Sequence, residues 1–467
     1  MKSVGARSIF NARLFLSGTL LTTAIVFGGG GTPAPLAELI VQLVAIAVFV
    51  AWIWLVERSA ARPKARRDVP LLVLSIAFVA IPAVQLIPLP PAIWHHLPAR
   101  EIEVRALALV GSANAWMPWS MSPTRTLASL LSLIPPMVML FFMWRLPRGE
   151  QTTMLGLLGG LGLVAALVGV VQLVSGNANW LRFYADTHYG FATGFQANRN
   201  ADVDVLLIAA MALLAWIVST GRVFASLQNK LLLTVFLFFM AVSLVLTGSR
   251  AGVGLIVVPI VFGMILFVPH VRVRGWKLAV GGAVVLSVLF VGGYALRDNA
   301  RIQNTLQRFD QGAVRRPEIW ADTVYAIKQH LPVGSGVGTF RPIYDAAERL
   351  EFVHSTYANR AHNDYLEYVL ETGFVGPLLL FVGLIFLLWR GVAILRQTES
   401  RTRRNQILFA LAGFSVFILH SLVDYPMRSM SLAVVCALLF GLMSGGADGP
   451  SRERRGKKRQ GRRSARS

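Results

Sequence analysis

Apolar runs of about 16–23 residues alternate with short polar breaks along most of this chain, each close to the length an α-helix needs to cross roughly 30 Å of hydrocarbon. Twelve such runs are readable, at residues 12–28, 36–56, 69–90, 126–144, 152–174, 200–219, 231–247, 252–268, 278–296, 374–390, 407–423 and 429–444. One break differs from the rest: between the ninth and tenth runs, Arg297 to Gly373 form a polar segment of 77 residues. The pattern predicts an all-α integral membrane protein of about twelve transmembrane helices, with one large extramembrane loop that contains short helices. The first run lacks a small-residue cleavage site, so it is expected to remain as a span.

Composition agrees. The chain is 55% hydrophobic and only 15% charged, with mean hydropathy +0.59, whereas a soluble protein carries about 25% charged residues. No separate soluble domain is expected. Placing both termini in the cytoplasm puts 29 of the 45 Lys and Arg on the inner side, which satisfies the positive-inside rule and leaves the 297–373 loop outside. Nine of those basic residues crowd into Ser451–Ser467. Such a run is expected to be disordered and to lie near anionic membrane lipid, so the net charge of +22 does not imply a nucleic-acid partner. The single cysteine, Cys436, falls inside the last run, which excludes disulfides and a Cys-based metal site.

Three outer segments carry polar residues worth placing. Residues 92–125 hold Trp94, Trp116 and Trp119, which read as aromatics at headgroup depth, and end with Arg125, placed to face either a lipid phosphate or a substrate phosphate. Asn198, Arg199 and Asn200 open the sixth run, where an Asn either caps the helix or joins free backbone N–H groups in holding an anion. Asp202 and Asp204 follow as a D-x-D inside the run, with no second acidic cluster to complete a metal site. In Thr247–Gly252, Arg250 stands at the outer end of the hairpin between the seventh and eighth runs. A guanidinium this near hydrocarbon either snorkels or serves a site, and its small neighbours would let a bulky ligand approach.

The large loop holds the remaining chemistry. Arg316-Pro317-Glu318 reads as a helix start, placing Arg315 and Arg316 where helix dipole and guanidinium forks favour a phosphate. Trp320, Val324, Ile327 and Leu331 follow as an apolar stripe suited to lying on a membrane. Gly334–Gly338 has neither a Gly-Lys-Ser/Thr nor a G-x-G-x-x-G pattern, so it predicts a flexible turn rather than a nucleotide loop. Asp364 and Glu367 have capping-box spacing, with Gly373 ending that helix. His362 and Asn363 lie at its start, and a neutral imidazole there suits proton removal from an attacking hydroxyl.

In this order, Gln196-Ala-Asn-Arg-Asn, Ser249-Arg-Ala-Gly, Arg316 with Trp320, Gly334–Gly338 and Ala361-His-Asn-Asp-Tyr-Leu-Glu resemble the O-antigen ligase and polymerase superfamily of bacterial membrane glycosyltransferases. The resemblance runs from about Gln196 to Gly376. It implies a GT-C-like architecture in the bacterial inner membrane, with the active loop periplasmic. It also implies transfer of a glycan from undecaprenyl diphosphate to an acceptor hydroxyl, on lipid A–core for a ligase or on another glycan for a polymerase. On this likeness His362, Arg250 and Arg316 are the expected catalytic residues, and Arg315, Asn200, Arg125 and Asn363 the expected substrate contacts. No cofactor or metal is expected, transfer should need no ATP, and the anomeric carbon should invert. The chain then divides into N-terminal helices (1–190), a ligase-like region (191–445) and a basic tail (446–467). A transporter or flippase is the rival. It would place ionisable groups at mid-depth, whereas Arg250, His420, Asp424 and Arg428 all fall near outer ends.

Overall fold

The computed structural model describes residues 2–30, 35–58, 68–176, 179–221, 226–267, 316–353 and 357–444, with side chains from residue 11 onward. The ninth predicted run, Arg315 and the basic tail lie outside the described residues. The chain opens with α1 (Lys2–Phe27), α2 (Pro35–Trp52, continued by a π-helical turn to Glu57) and α3 (Val69–Gln85). An outer segment follows, containing β1 (Pro88–Leu89), α4 (Pro91–Trp94), α5 (Glu101–Leu109) and β2 (Met117–Pro118), the two strands paired antiparallel. Then come α6 (Pro123–Ser132), α7 (Ile134–Arg145), α8 (Arg148–Val174), α9 (Arg199–Thr220), α10 (Leu227–Leu246), α11 (Arg250–Leu255) and α12 (Val257–Phe267). The loop segment contributes α13 (Arg316–His330), α14 (Phe340–Ala347) and α15 (Asp364–Thr372), and the chain finishes with α16 (Val375–Gln397), α17 (Arg401–His420) and α18 (Met430–Met443).

Every predicted run within the described residues coincides with a helix or with a pair of helices in line. Among the described residues, seven helical stretches are long and apolar enough to cross a membrane, and Asn11–Phe27, Val69–Gln85 and Met430–Met443 are shorter apolar helices. The protein is an all-α, multi-pass membrane protein. α17 falls outside both groups because Arg401, Arg403, Arg404, Asn405 and Gln406 crowd its first turns.

Burial sorts the helices. α9 is buried at every residue from Ala201 to Ala212, its two aspartates included, as expected of a helix at the centre of a bundle. α16 instead turns Leu378, Phe381, Ile385 and Trp389 outward. The close packing of α8 on α9 follows from glycines: a Cβ at Gly162 would come within 2.1 Å of the Ala209 Cβ, and one at Gly159 within 2.8 Å of Leu213. Small residues let helices approach where apolar solvent offers no hydrophobic drive. At the end of the bundle where α17 begins, Arg403 donates to the carbonyls of Leu442 at 2.6 Å and Ser444 at 2.5 Å, satisfying carbonyls that the α18 terminus leaves open.

The loop segment makes a core of its own, with Ile319, Ala326, Ile327, Phe340, Ile343, Tyr344, Ala361 and Leu370 buried together. This corrects the membrane-lying stripe. Ile327 and Leu331 face α14 and α15, Trp320 donates its indole N–H to the Ala361 carbonyl at 3.0 Å, and Val324 is exposed. Trp94 is likewise fully buried, its N–H held by the Ala115 carbonyl at 2.9 Å, rather than standing at headgroup depth.

The glycine stretch is packed, not flexible. Gly336 (φ +112°) lies against Ser120, and Gly338 (φ +86°) against the Arg125 carbonyl, where a Cβ would come within 2.9 Å. Gln85 clamps the turn from both sides, its amide oxygen accepting from Val337 N–H at 2.9 Å and its amide nitrogen donating to the Glu371 carbonyl at 2.9 Å.

Candidate active site

α15 starts where Asn363 turns the chain, its side-chain oxygen accepting from the Leu366 N–H at 3.0 Å and its amide nitrogen donating to the Leu422 carbonyl at 3.0 Å. The cap is therefore Asn363, one residue before the expected Asp364, and both polar ends of Asn363 are engaged in building the turn. Asp364 and Glu367 are buried and meet arginines rather than helix N–H groups. His362, just before the cap, has φ +50°. A side chain with a Cβ rarely adopts that conformation, and such strain clusters at functional sites.

From this position the imidazole Nδ1 reaches Asp424 Oδ1 at 3.2 Å. Asp424 lies in the short connection between α17 and α18, and its own neighbour and Asn200, distant in sequence, also hold it. The Tyr425 N–H donates to Oδ1 at 3.0 Å, and the Asn200 amide donates to Oδ2. Asn200 in turn accepts from Ser249 Oγ at 2.7 Å, and Ser249 caps α11, one residue before Arg250. Tyr425 sets its ring edge against His362, centroids 5.0 Å apart, while its hydroxyl accepts from Asn198 at 3.2 Å and Asn359 at 3.4 Å.

The electrostatics follow from this crowding. Burial alone would raise the Asp424 carboxyl, but the hydrogen bond and charge of His362, with His420 and Arg316, outweigh it and hold the group below the usual carboxylate range. Asp424 thus stays an anion at any working pH. Burial pushes the Tyr425 hydroxyl up to about 12, so it stays neutral.

Most of the predicted residues lie in this constellation. Arg316 opens α13 close enough for its charge to act on Asp424 and His420. Arg250 is half-buried in the first turn of α11, next to Ser249. Asn198 caps α9, accepting from the Asn200 N–H at 2.9 Å, so the capping reading holds for it, while Asn200 itself ties Asp424 to Ser249. Arg125 lies elsewhere. It is exposed on α6 beside Gly338, which the Glu371 carboxylate holds at the far end of α15 from His362, about 13 Å of helix away. The D-x-D pair diverges, as residues two apart on a helix must. Asp204 meets the His420 Nδ1 at 2.7 Å, and Asp202 faces Gly194.

Residues that the sequence did not single out complete the site. Asp424 and Tyr425 had one available signal, a carboxylate four residues after His420 in a connection too short to need so many polar groups. His188 had none. It lies on an accessible rim with its Nδ1 accepting from the Arg199 N–H at 3.4 Å. The surrounding protein, then the Arg199 guanidinium, pushes its pKa down to about 4, leaving it neutral within range of Asp424 and His362.

Strain, a buried anion and an imidazole hydrogen-bonded to it lie in or beside a region similar to a known family. Residues 235–382 match the O-antigen ligase family model. The match supports the O-antigen ligase and polymerase superfamily, whose members are glycosyltransferase-like membrane enzymes. No curated protein matches the chain. Arg250, Arg316 and His362 all fall within the ligase-family region, whereas Asn200 and Asp424 approach it from either side in sequence. The matched segment by itself therefore lacks the carboxylate that is hydrogen-bonded to its histidine.

Proposed function

We propose that this protein is an O-antigen ligase-type glycosyltransferase, moving a glycan from undecaprenyl diphosphate to an acceptor hydroxyl, lipid A–core, on the periplasmic face of the bacterial inner membrane. The observation that carries this reading is the His362–Asp424 pair. With Nδ1–H donated to Asp424, the imidazole keeps Nε2 free as a base, the tautomer that proton abstraction needs. The acceptor hydroxyl loses its proton to Nε2 as its oxygen bonds to the anomeric carbon, and the bond from that carbon to the diphosphate oxygen breaks. The diphosphate leaves with growing negative charge. Arg250 and Arg316 supply fixed positive charge for it, so the step needs no nucleotide. Attack from the face opposite the leaving group inverts the carbon.

The test uses purified full-length protein with labelled undecaprenyl-diphosphate glycan and lipid A–core. Transfer of label to lipid A–core is the expected result. Elongation of the lipid-linked glycan instead would make the protein a polymerase. No product with either acceptor, despite donor binding, would overturn the glycosyltransferase reading.

A further inference from the structure

Asp364, Glu367 and Glu371 recur on α15 at spacings of three and four, so they share one face of the helix, and all three are buried. Burying a carboxylate costs several kcal/mol unless it is paired. Two guanidinium groups face them. Arg360 donates to Glu367 Oε1 at 2.8 Å. Arg428, from the turn after Asp424, places Nε 3.5 Å from Asp364 Oδ1 and 3.3 Å from Glu367 Oε1, and a terminal nitrogen 2.9 Å from Glu371 Oε2. The same carboxylates tie down the backbone on both sides. Asp364 Oδ2 accepts from Ser421 Oγ and from the Met427 N–H, each at 3.1 Å. Glu367 Oε2 accepts from the Ala361 N–H at 3.2 Å, and Glu371 Oε1 from the Gly338 N–H at 2.9 Å.

The two halves of the His362–Asp424 pair therefore ride on two segments, 360–372 and 421–428, which hydrogen bonds of Asn363 and Asp364 join at the start of α15 and which Arg428 joins along its length, as far as Glu371. The pair itself is one 3.2 Å hydrogen bond from a side chain that is 27% exposed, so its register depends on how the two segments are held. Arg428 is in the opposite situation, enclosed with a side chain 15% exposed and contacting three carboxylates.

We propose that Arg428 is a positioning residue, which by clamping the acidic face of α15 to the 421–428 turn holds His362 in register with Asp424. The inference rests on the glycosyl-transfer reading for its kinetic consequence but not for its structural one. Removing the clamp lets the imidazole lose the carboxylate without touching the lipid donor.

The experiment compares full-length wild type, Arg428→Met, Arg428→Lys and, as a control on the exposed face of α5, Arg105→Ala. In Arg428→Met the turnover should fall by about 10- to 100-fold, the effect of a small misplacement of a reacting group, with donor KM unchanged. Arg428→Lys should recover part of it. In an Asp424→Asn background Arg428→Met should add little, since residues acting through one interaction are not additive. A donor KM effect alone, or a full multiplicative loss on Asp424→Asn, overturns the proposal. Should Arg428→Met fail to fold, the pair Arg428→Met/Glu371→Gln, which leaves fewer orphaned charges, takes its place, and full turnover there also overturns it. Diethyl pyrocarbonate modification of His362, followed by peptide mass spectrometry, needs no activity. A changed rate in Arg428→Met and not in Arg105→Ala supports positioning even if wild type transfers nothing, in which case the function falls alone. An unchanged rate overturns positioning.

Discussion

Two histidine–aspartate pairs lie side by side here, and they differ in access. His362–Asp424 has its imidazole 27% exposed, whereas His420–Asp204 has side chains 1% and 0% exposed. The chain links them, since the Asp424 N–H donates to the His420 carbonyl at 2.9 Å. The open pair has a ring nitrogen available to a ligand. In the sealed pair the His420 Nε2 is buried without a hydrogen-bond partner, and it pins α17 against α9. On the proposed function the same two side chains serve chemistry in one place and packing in the other, and what surrounds them decides which.

The sharpest way to break this contrast is His362→Ala. Transfer should fall by about 10²–10⁴-fold, the usual worth of a positioned base, while thermal stability in detergent stays near wild type. Unimpaired turnover would deprive the open pair of its role. Asp204→Ala should do the reverse. Removing one partner of a buried charged pair costs about 3–5 kcal/mol, so the melting temperature should drop markedly, while the fraction that stays folded transfers glycan at a rate far above that of His362→Ala. A stable Asp204→Ala with no activity would assign chemistry to the sealed pair as well.

A subtler effect concerns Asp364. Burial, only partly offset by Arg428, lifts its carboxyl to about 7, above the unfolded value of about 3.9. The folded protein therefore binds the extra proton between about pH 4 and 7, and across that window this group's contribution to stability falls as pH rises, levelling off above 7. Asp364→Asn should flatten that slope in a melting series. An unchanged slope would mean that the proton resides elsewhere in the cluster.

The spans were legible because a bilayer demands long apolar helices, and helix-start signals at Arg316 and Asn198 were local. His362, Arg250 and Arg316 were visible as charges out of place. What stayed hidden depends on partners far away in sequence. Asp364 and Glu367 look like a cap until Arg428 arrives from more than fifty residues on, and the apolar stripe of α13 looks membrane-bound until α14 and α15 cover it. Gly334–Gly338 reads as a loose turn because nothing local reveals Ser120 and the Arg125 carbonyl behind it. Asp424 was noticed only for its depth, since the residue it aligns lies 62 positions earlier.

Because Asn200, Ser249, His362 and Asp424 come from four separate stretches, the order of synthesis matters. A ribosome delivers the histidine well before its carboxylate, and the two can meet only once the hairpin of α17 and α18 has entered the bilayer. Until then the arginines and the imidazole stand without their aligning anion. On the proposed function, a half-inserted chain would hold its anion-binding arginines without an aligned base. Completion of the final hairpin is thus a built-in checkpoint, at which insertion and competence arrive together.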